Sequence, residues 1–543
     1  MRGTRNPRRS MSRGSTRSVM SHSFSHAPQA KIQRSLFNRR HGNKNTFDAG
    51  YLVPVFVDEV LPGDTFNLKM NIFARVATLK TPIMDNLFLD SFFFFVPNRL
   101  LWDNWQKFCG EQRDPGDSTD YLVPQIPAPA STGFAFGSLA DYFGIRPGVT
   151  GFSVNSLHFR AYNLIWNEWF RDENLQDSVV VDTGDGPDDP ADYVLLKRCK
   201  RYDYFTSALP WPQKGDPVDL PLGGTANVLT SSSDIVTGTQ NVMKFLKTDG
   251  TAPGNGIIGI ESGALHRGSG SYTPTITLYP SNLYADLSTA TGVTINELRE
   301  AFQIQKMLER DARGGTRYTE ILKSHFGVTS PDARLQRPEL LGMGSSPVNI
   351  TSVPQTSAAS GQPTPQANLA AYGTISGGRH GFVKSFVEHG VIIGLVSVRA
   401  DLNYQQGLHR MWSRQTRYDF YWPALSHIGE QAVLNKEIFV QGTSADDEVF
   451  GYQERFAEYR YKPSQICGQF RSDYSAPLDI WHLAQDFASL PALNSDFIQE
   501  NPPVDRVKAL SADYPDIIFD AFFDLKCARP MPMYSVPGLV DHF

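Results

Sequence analysis

The sequence predicts an all-β protein whose strands are interrupted by helical insertions. Two segments, residues 66–76 and 516–528, alternate apolar and polar side chains with the period of a strand. The chain also holds 44 glycines, 36 prolines and 12% aromatic residues, which indicates many short strands joined by turns and long loops. Helical patterns occur singly between strands, so the regular strand–helix alternation of an α/β fold is absent.

The predicted strands follow one another in chain order. Residues 51–57 and 66–76 flank a turn at 62–64, and residues 87–96 form a third strand that Pro97 closes. In the last strand, 516–528, the apolar side chains from Ile517 to Cys527 occupy one face. First and last strands at opposite ends of the chain are what a closed or sandwiched antiparallel sheet requires.

Four segments have helical patterns. We predict helices after Asn98, over residues 156–172, from residue 294 to Gly314, and over 317–326. The third begins with a capping box formed by Thr294 and Glu297, and Gly327 ends the fourth.

The first 47 residues carry eleven lysines and arginines and no acidic residue, whereas the remainder holds 40 basic and 56 acidic side chains. Apolar residues are too few here to offset the entropy of ordering, so we expect residues 1–45 to form a disordered arm. Its natural partner is a polyphosphate, although a targeting peptide or a solubilising tail has a similar composition. The predicted nucleic-acid-binding residues are Arg2, Arg5, Arg8, Arg9, Arg13, Arg17, Lys31, Arg34, Arg39, Arg40 and Lys44.

The rest of the chain divides by composition into residues 46–220, an insertion at 221–292, and residues 293–543. Gly, Ser, Thr and Pro dominate the insertion, which we expect to be a long surface loop. Residues 340–378 carry no formal charge and several prolines. We expect this segment to be an extended loop, either along a neighbouring subunit or on an ordinary surface.

No residue pattern assembles a catalytic site, so we predict no enzyme, no cofactor and no metal. Residues 254–259 match the dinucleotide pattern G-x-G-x-x-G, but neither a strand nor a helix flanks them, which favours a flexible loop tip. A cluster of aspartates lacks the EF-hand spacing and is most simply a solvated acidic loop: Asp182, Asp185, Asp188, Asp189 and Asp192. No apolar run approaches the roughly 20 residues that a membrane span needs, and no membrane partner is predicted.

Several long segments resemble the major capsid protein of microviruses, most of all the gokushovirus branch, small bacteriophages with circular single-stranded DNA. The similar segments run in order through the chain: residues 58–66 (DEVLPGDTF), 89–102 (LDSFFFFVPNRLLW), 163–170 (NLIWNEWF), 202–211 (YDYFTSALPW), 303–326, 528–533 (ARPMPM) and 535–542 (SVPGLVDH).

The resemblance implies an eight-stranded antiparallel jelly roll with long interstrand loops, assembled from about sixty copies into a T=1 shell of the virion. It also implies an internal scaffolding protein, a small DNA-binding packaging protein, a pilot protein, a host surface receptor, and assembly in the bacterial cytoplasm. Gokushoviruses carry an insertion at the threefold axes that is thought to meet the host. We therefore expect residues 221–292 to form this protrusion, with a tip made of Gly254, Gly256, Ile257, Ile258, Gly259 and Ile260.

Two other functions are compatible with a β-sandwich. One is a monomeric adhesin or lectin, and the other is a carbohydrate-active enzyme, which would need two convergent carboxylates in an aromatic cleft. A coat protein differs from both because it forms oligomers or closed shells.

Overall fold

Two antiparallel sheets pack face to face as a jelly-roll sandwich. The computed structural model describes residues 32–218, 294–356, 368–510 and 513–534, together with short segments at 227–230, 245–247, 251, 257–261, 264–268, 274–280 and 283–286. Apolar side chains from both sheets meet in one buried core. The predicted all-β sandwich is therefore confirmed.

The described strands belong to the two sheets, to the insertion or to short ribbons. In chain order they are β1 (Ser35–Asn38), β2 (His41–Phe47), β3 (Val53–Val60), β4 (Thr65–Val76), β5 (Leu87–Pro97), β6 (Gln125–Pro127), β7 (Ser153–Asn155), β8 (Asn227–Thr230), β9 (Phe245–Lys247), β10 (Ile257–Glu261), β11 (Ala264–Gly268), β12 (Pro274–Pro280), β13 (Leu283–Asp286), β14 (Glu339–Pro347), β15 (Asn349–Pro354), β16 (Leu369–Ser385), β17 (Gly390–Ala400), β18 (Asn403–Tyr404), β19 (Glu430–Leu434), β20 (Val449–Glu454), β21 (Ser464–Gln465) and β22 (Ile517–Arg529).

The described α-helices are mostly short. They are α1 (Trp105–Phe108), α2 (Leu139–Tyr142), α3 (Leu157–Trp169), α4 (Ile295–Gly314), α5 (Tyr318–Phe326), α6 (Asp332–Leu335), α7 (Asn435–Ile438), α8 (Ser495–Ile498) and α9 (Val504–Val507). The predicted capping box at Thr294 and Glu297 begins α4, and Gly327, in the left-handed conformation, ends α5. The helix expected after Asn98 is a 3₁₀ turn followed by the single turn of α1.

The strand order defines the jelly roll. The larger sheet runs β1-β22-β4-β16-β15, with β2 also paired to β22, and the smaller sheet runs β14-β5-β17-β3. Along the chain, β2, β4, β16 and β22 of the larger sheet alternate with strands of the smaller sheet, apart from β5 and β14, which follow each other within the smaller one. The six-stranded and four-stranded sheets do not confirm the count of eight, because β1 and β2 lie end to end along β22 and β15 extends the far edge.

Strands β4 and β22 are buried on one face only. Phe66, Leu68, Met70 and Ile72 of β4 point into the core, while the residues between them are exposed. The same alternation runs along β22, so the outer face of the larger sheet is open in the described part of the chain. A half-buried antiparallel strand produces this pattern.

Strands β5 and β17 of the smaller sheet are buried on both faces. Phe93 of β5 faces the sandwich core, whereas Phe94 packs outward against Trp169 of α3, with 5.5 Å between the ring centroids. Every residue of β17 is buried. The continuous apolar runs in these strands therefore follow from a layer of helix and loop that covers the smaller sheet.

The interpretation of residues 340–378 as a loop is wrong. Strand β14 pairs with β5 in the smaller sheet, and after Val348 the chain enters β15 and β16 of the larger sheet. Pro347 and Pro354 are the last residues of β14 and β15, and both strands lie at sheet edges, where proline is tolerated.

The insertion also contains strands. The order β10-β11-β12-β9 forms one small sheet and β13 pairs with β8, so residues 221–292 are not simply an irregular loop. Apolar residues at every second position of β12 fit this pairing.

Candidate nucleic-acid interface

The C-terminal part of the predicted arm is folded. Strands β1 and β2 pair antiparallel with β22, so that Asn38 lies opposite Lys526 and Lys44 opposite Asp520. Disorder over residues 1–45 was therefore predicted too far along the chain. Burial alternates along β1 and β2, but few of their residues are apolar, so the sequence itself carries no clear strand signal there.

The cations of these strands have partners in the fold. Arg39 forms a bidentate ion pair with Asp58. Arg40 Nε donates to Asp524 Oδ1 at 2.6 Å and lowers the pKa of that carboxyl below its ordinary value. Lys44 Nζ lies 2.9 Å from Asp520 Oδ2. Three of the predicted nucleic-acid-binding residues therefore hold the edge strands in place.

Of the remaining predicted cations, Arg34 lies among the described residues. Arg34 donates a hydrogen bond of 2.9 Å to Thr65 Oγ1 and is otherwise exposed. Seven predicted residues lie outside the described residues: Arg2, Arg5, Arg8, Arg9, Arg13, Arg17 and Lys31.

The open face of the larger sheet carries cations that the sequence analysis missed. Lys69 and Arg75 of β4 and Lys526 of β22 are exposed, and within the described part of the chain none of them forms an ion pair. Phe73 and Phe522 lie among them, 58% and 48% exposed. The signal was present, because each occupies an outward position in a strand whose alternation was recognised.

One aspartate of the predicted acidic loop is buried, which corrects the interpretation of a fully solvated loop. Asp188 Oδ2 accepts hydrogen bonds from Arg160 Nε at 2.8 Å and from the Tyr193 hydroxyl at 2.7 Å. Burial alone would raise the pKa of Asp188, but the bonds from Arg160 and Tyr193 outweigh it and the pKa is lowered. Among the described residues, no group of three or more histidines, cysteines and carboxylates is arranged to hold a metal ion.

Part of the predicted loop tip lies in a strand. Ile257, Ile258, Gly259 and Ile260 belong to β10, which pairs with β11, whereas Gly254 and Gly256 fall outside the described residues. A paired strand holds its backbone in one geometry, so a flexible tip is the wrong description for 257–260.

A second surface is rich in exposed aromatic rings. Arg414 lies over the Tyr459 ring at 4.2 Å from its centroid, and Arg417 lies over Trp422 at 4.5 Å. Trp412 and Tyr418, 70% and 67% exposed, extend it. We call it the aromatic surface and define it by Trp412, Arg414, Arg417, Tyr418, Phe420, Tyr421, Trp422 and Tyr459.

No helix within the described ranges is both long and apolar enough to cross a bilayer.

The jelly roll is a fold of viral capsid proteins, of some lectins and of cupins, and the cationic edge beside an open aromatic face favours the capsid class. The chain belongs to the family described as "Capsid protein (F protein)", whose family model matches residues 25–539. Membership confirms the structural, non-enzymatic role and means that copies of the chain assemble into a capsid that encloses the genome.

Relatives cover almost the whole chain. It is 51% identical over 527 residues to the capsid protein VP1 of Bdellovibrio phage phiMH2K, across 96% of this chain and 98% of the relative. Identity to capsid protein VP1 of Chlamydia phage 1 is 45% over 590 residues, across 96% and 98%. Identity to that of Spiroplasma virus 4 is 41% over 539 residues, across 95% and 97%. The predicted resemblance to gokushovirus capsid proteins and the location in the virion are confirmed.

Proposed function

We propose that about sixty copies of this chain form a T=1 icosahedral shell around circular single-stranded DNA, with the open face of the larger sheet and the arm directed inward. One observation supports the inward direction of the open face and the arm. Residues 1–31 hold seven lysines and arginines and no acidic residue, and the chain leaves them at the sheet edge formed by β1 and β2. The arm therefore begins beside the open face.

The arm is the part of the proposed interface that depends only on charge. Each phosphate that a lysine or arginine neutralises releases a counterion, so binding is independent of sequence and weakens as salt increases. Arg39, Arg40 and Lys44 contribute less, because Asp58, Asp524 and Asp520 already pair with them.

Deleting residues 1–31 tests this role while leaving β1 and β2 in place. Seven contacts at about 0.7 each make the slope of log affinity against log salt shallower by about 5 for single-stranded DNA. Fluorescence anisotropy with a labelled oligothymidine at several salt concentrations measures it. A full-length variant with these seven cations replaced by glutamine controls for arm length and should match the deletion. An unchanged slope would contradict the role.

We place one contact between copies of the chain on the aromatic surface. Trp, Tyr and Arg are the residues that dominate interface energetics when a partner covers them, and here the arginines already stack on rings. Replacing Trp412 and Tyr418 by alanine should leave the subunit folded and abolish shells in size-exclusion chromatography with scaffold supplied. Phe136→Ala, at a residue that is 82% exposed elsewhere, is the control and should assemble normally.

We further propose that assembly takes place in the bacterial cytoplasm with an internal scaffolding protein, a small DNA-binding packaging protein and a pilot protein. We also propose that the insertion at 221–292 protrudes at the threefold axes and contacts a host receptor. Ile257, Ile258 and Ile260 give strand β10 an apolar composition, which supports a role in protein contact. Replacing all three by serine should reduce adsorption of intact particles to host cells. Equal adsorption would contradict the receptor role.

A further inference from the structure

The open face of the larger sheet combines aromatic rings with cations that have no ion-pair partner among the described residues. Phe73 of β4 lies opposite Asp520 of β22, and Asn71 lies opposite Phe522. The two rings are therefore diagonal neighbours on adjacent strands, about 7–8 Å apart at their Cα atoms. Neither phenylalanine contributes to the buried core, so core packing does not account for them.

Small neighbours flank both rings. On the β16 side, Ser376 lies opposite Phe73. On the β2 side, Gly42 lies opposite Phe522, and a glycine has no side chain to cover the ring. A planar group can therefore reach each ring from solvent.

Residues of the sheet edge neutralise the acidic side chains around the two rings. Asp520 and Asp524 are the carboxylates beside the rings, and Lys44 and Arg40 respectively pair with them. Lys69 is opposite Asp524 in the register, Arg75 is opposite Ile518, and Lys526 is opposite Asn67. Since these two ion pairs already neutralise the carboxylates, Lys69, Arg75 and Lys526 leave the described part of the face with a net positive charge.

We propose that this face is a stacking platform for single-stranded nucleic acid, with one base on Phe73, one on Phe522, and phosphates on Lys69, Arg75 and Lys526. The proposal rests on the proposed function and adds a contact to bases that the arm does not supply. Exposed rings beside a cationic track are what non-specific single-strand binding requires. A second copy of the chain fits less well, because an apolar contact needs neither the cations nor the open ring faces. In a duplex the bases are stacked on one another, so a duplex cannot use the rings.

The test measures binding of the full chain to a labelled 20-nucleotide oligothymidine and to a duplex of equal length. Phe73→Ala with Phe522→Ala removes two stacking contacts and should weaken single-strand binding about 30-fold or more, while duplex binding stays within about twofold. Phe73→Leu with Phe522→Leu keeps apolar surface without an aromatic ring and should weaken binding to the same extent. Phe136→Ala should bind like the parent chain. Both rings are exposed, so thermal unfolding should be unchanged.

Photocrosslinking locates the contact. An oligonucleotide carrying 5-iodouracil should crosslink to Phe73 or Phe522, identified by mass spectrometry, and not to Phe136. If the full chain binds single strands but the alanine and leucine pairs bind normally, the platform is wrong and the arm accounts for binding. If leucine restores the single-strand binding that alanine loses, apolar contact rather than ring stacking accounts for binding, and the platform is again wrong. If the full chain binds no single-stranded DNA at all, the proposed genome contact fails with it.

Discussion

The two sheets of the sandwich differ in what covers their outer faces. Helix α3 and the loops around it bury the outer face of the smaller sheet, where Phe94 is 1% exposed. The outer face of the larger sheet is open, and Phe73 there is 58% exposed. The same residue type therefore has two different roles. Burial makes Phe94 a source of stability, whereas exposure leaves Phe73 available to a ligand.

The cations divide into paired and unpaired groups. Arg160, on the covered side, is buried against Asp188, and Arg39 is paired with Asp58 at the edge strand. Lys69, Arg75 and Lys526 on the open face have no ion-pair partner in the described part of the chain. A buried or paired cation holds the fold, whereas an unpaired exposed cation is free to bind an anion. The function of an arginine or lysine therefore depends on whether the fold supplies it with an acidic partner.

The largest expected effect compares the two phenylalanines directly. Phe94→Ala removes a ring from a packed layer and should lower the free energy of unfolding by about 3–5 kcal/mol. Phe73→Ala should change it by no more than about 0.5 kcal/mol. Chemical denaturation of the two variants at equal protein concentration measures both. Equal losses would show that the larger sheet is covered as well.

The buried ion pair on the covered side should have a nearly equal effect. Asp188→Asn leaves Arg160 buried without its counter-charge and should cost about 3–5 kcal/mol of unfolding free energy. Asp189→Asn is the matched control, because Asp189 is exposed and asparagine can still accept the hydrogen bond from the Ala191 amide. A small effect at Asp188 would mean that solvent reaches the pair.

The smallest expected effect separates paired from unpaired cations. Arg39→Gln should lower the unfolding free energy by about 1 kcal/mol or less and leave single-strand affinity unchanged. Lys69→Gln should leave stability unchanged and make the salt slope shallower by about 0.7. Denaturation and anisotropy measurements on both variants test the contrast, and a shared phenotype would contradict it.

Sequence reasoning located the strands with clear alternation or clear stops. Residues 516–528 against Ile517–Arg529, and 66–76 against Thr65–Val76, agree within one residue, because one face of each strand is buried and the other is not. The helix at α4 was found from its caps, whose hydrogen bonds involve residues three apart in sequence.

The errors arose where the deciding partner is distant in sequence. Residues 340–378 were assigned to a loop because β14 and β16 pair with β5 and β4, whose residues lie more than 200 positions earlier. The partners of Arg39 and Arg40, Asp58 and Asp524, are likewise invisible to a local pattern. For the same reason Asp188 was assigned to a solvated loop, since nothing near it in sequence predicts the bond to Arg160. Contacts of this kind are set by the fold as a whole.

Electron microscopy of shells assembled with scaffold and circular single-stranded DNA tests the central claim most directly. We expect closed T=1 particles in which the open face of the larger sheet lines the interior, with nucleic-acid density over Phe73 and Phe522. Particles that place β4 and β22 on the exterior, or closed shells whose DNA does not approach this face, would contradict the account.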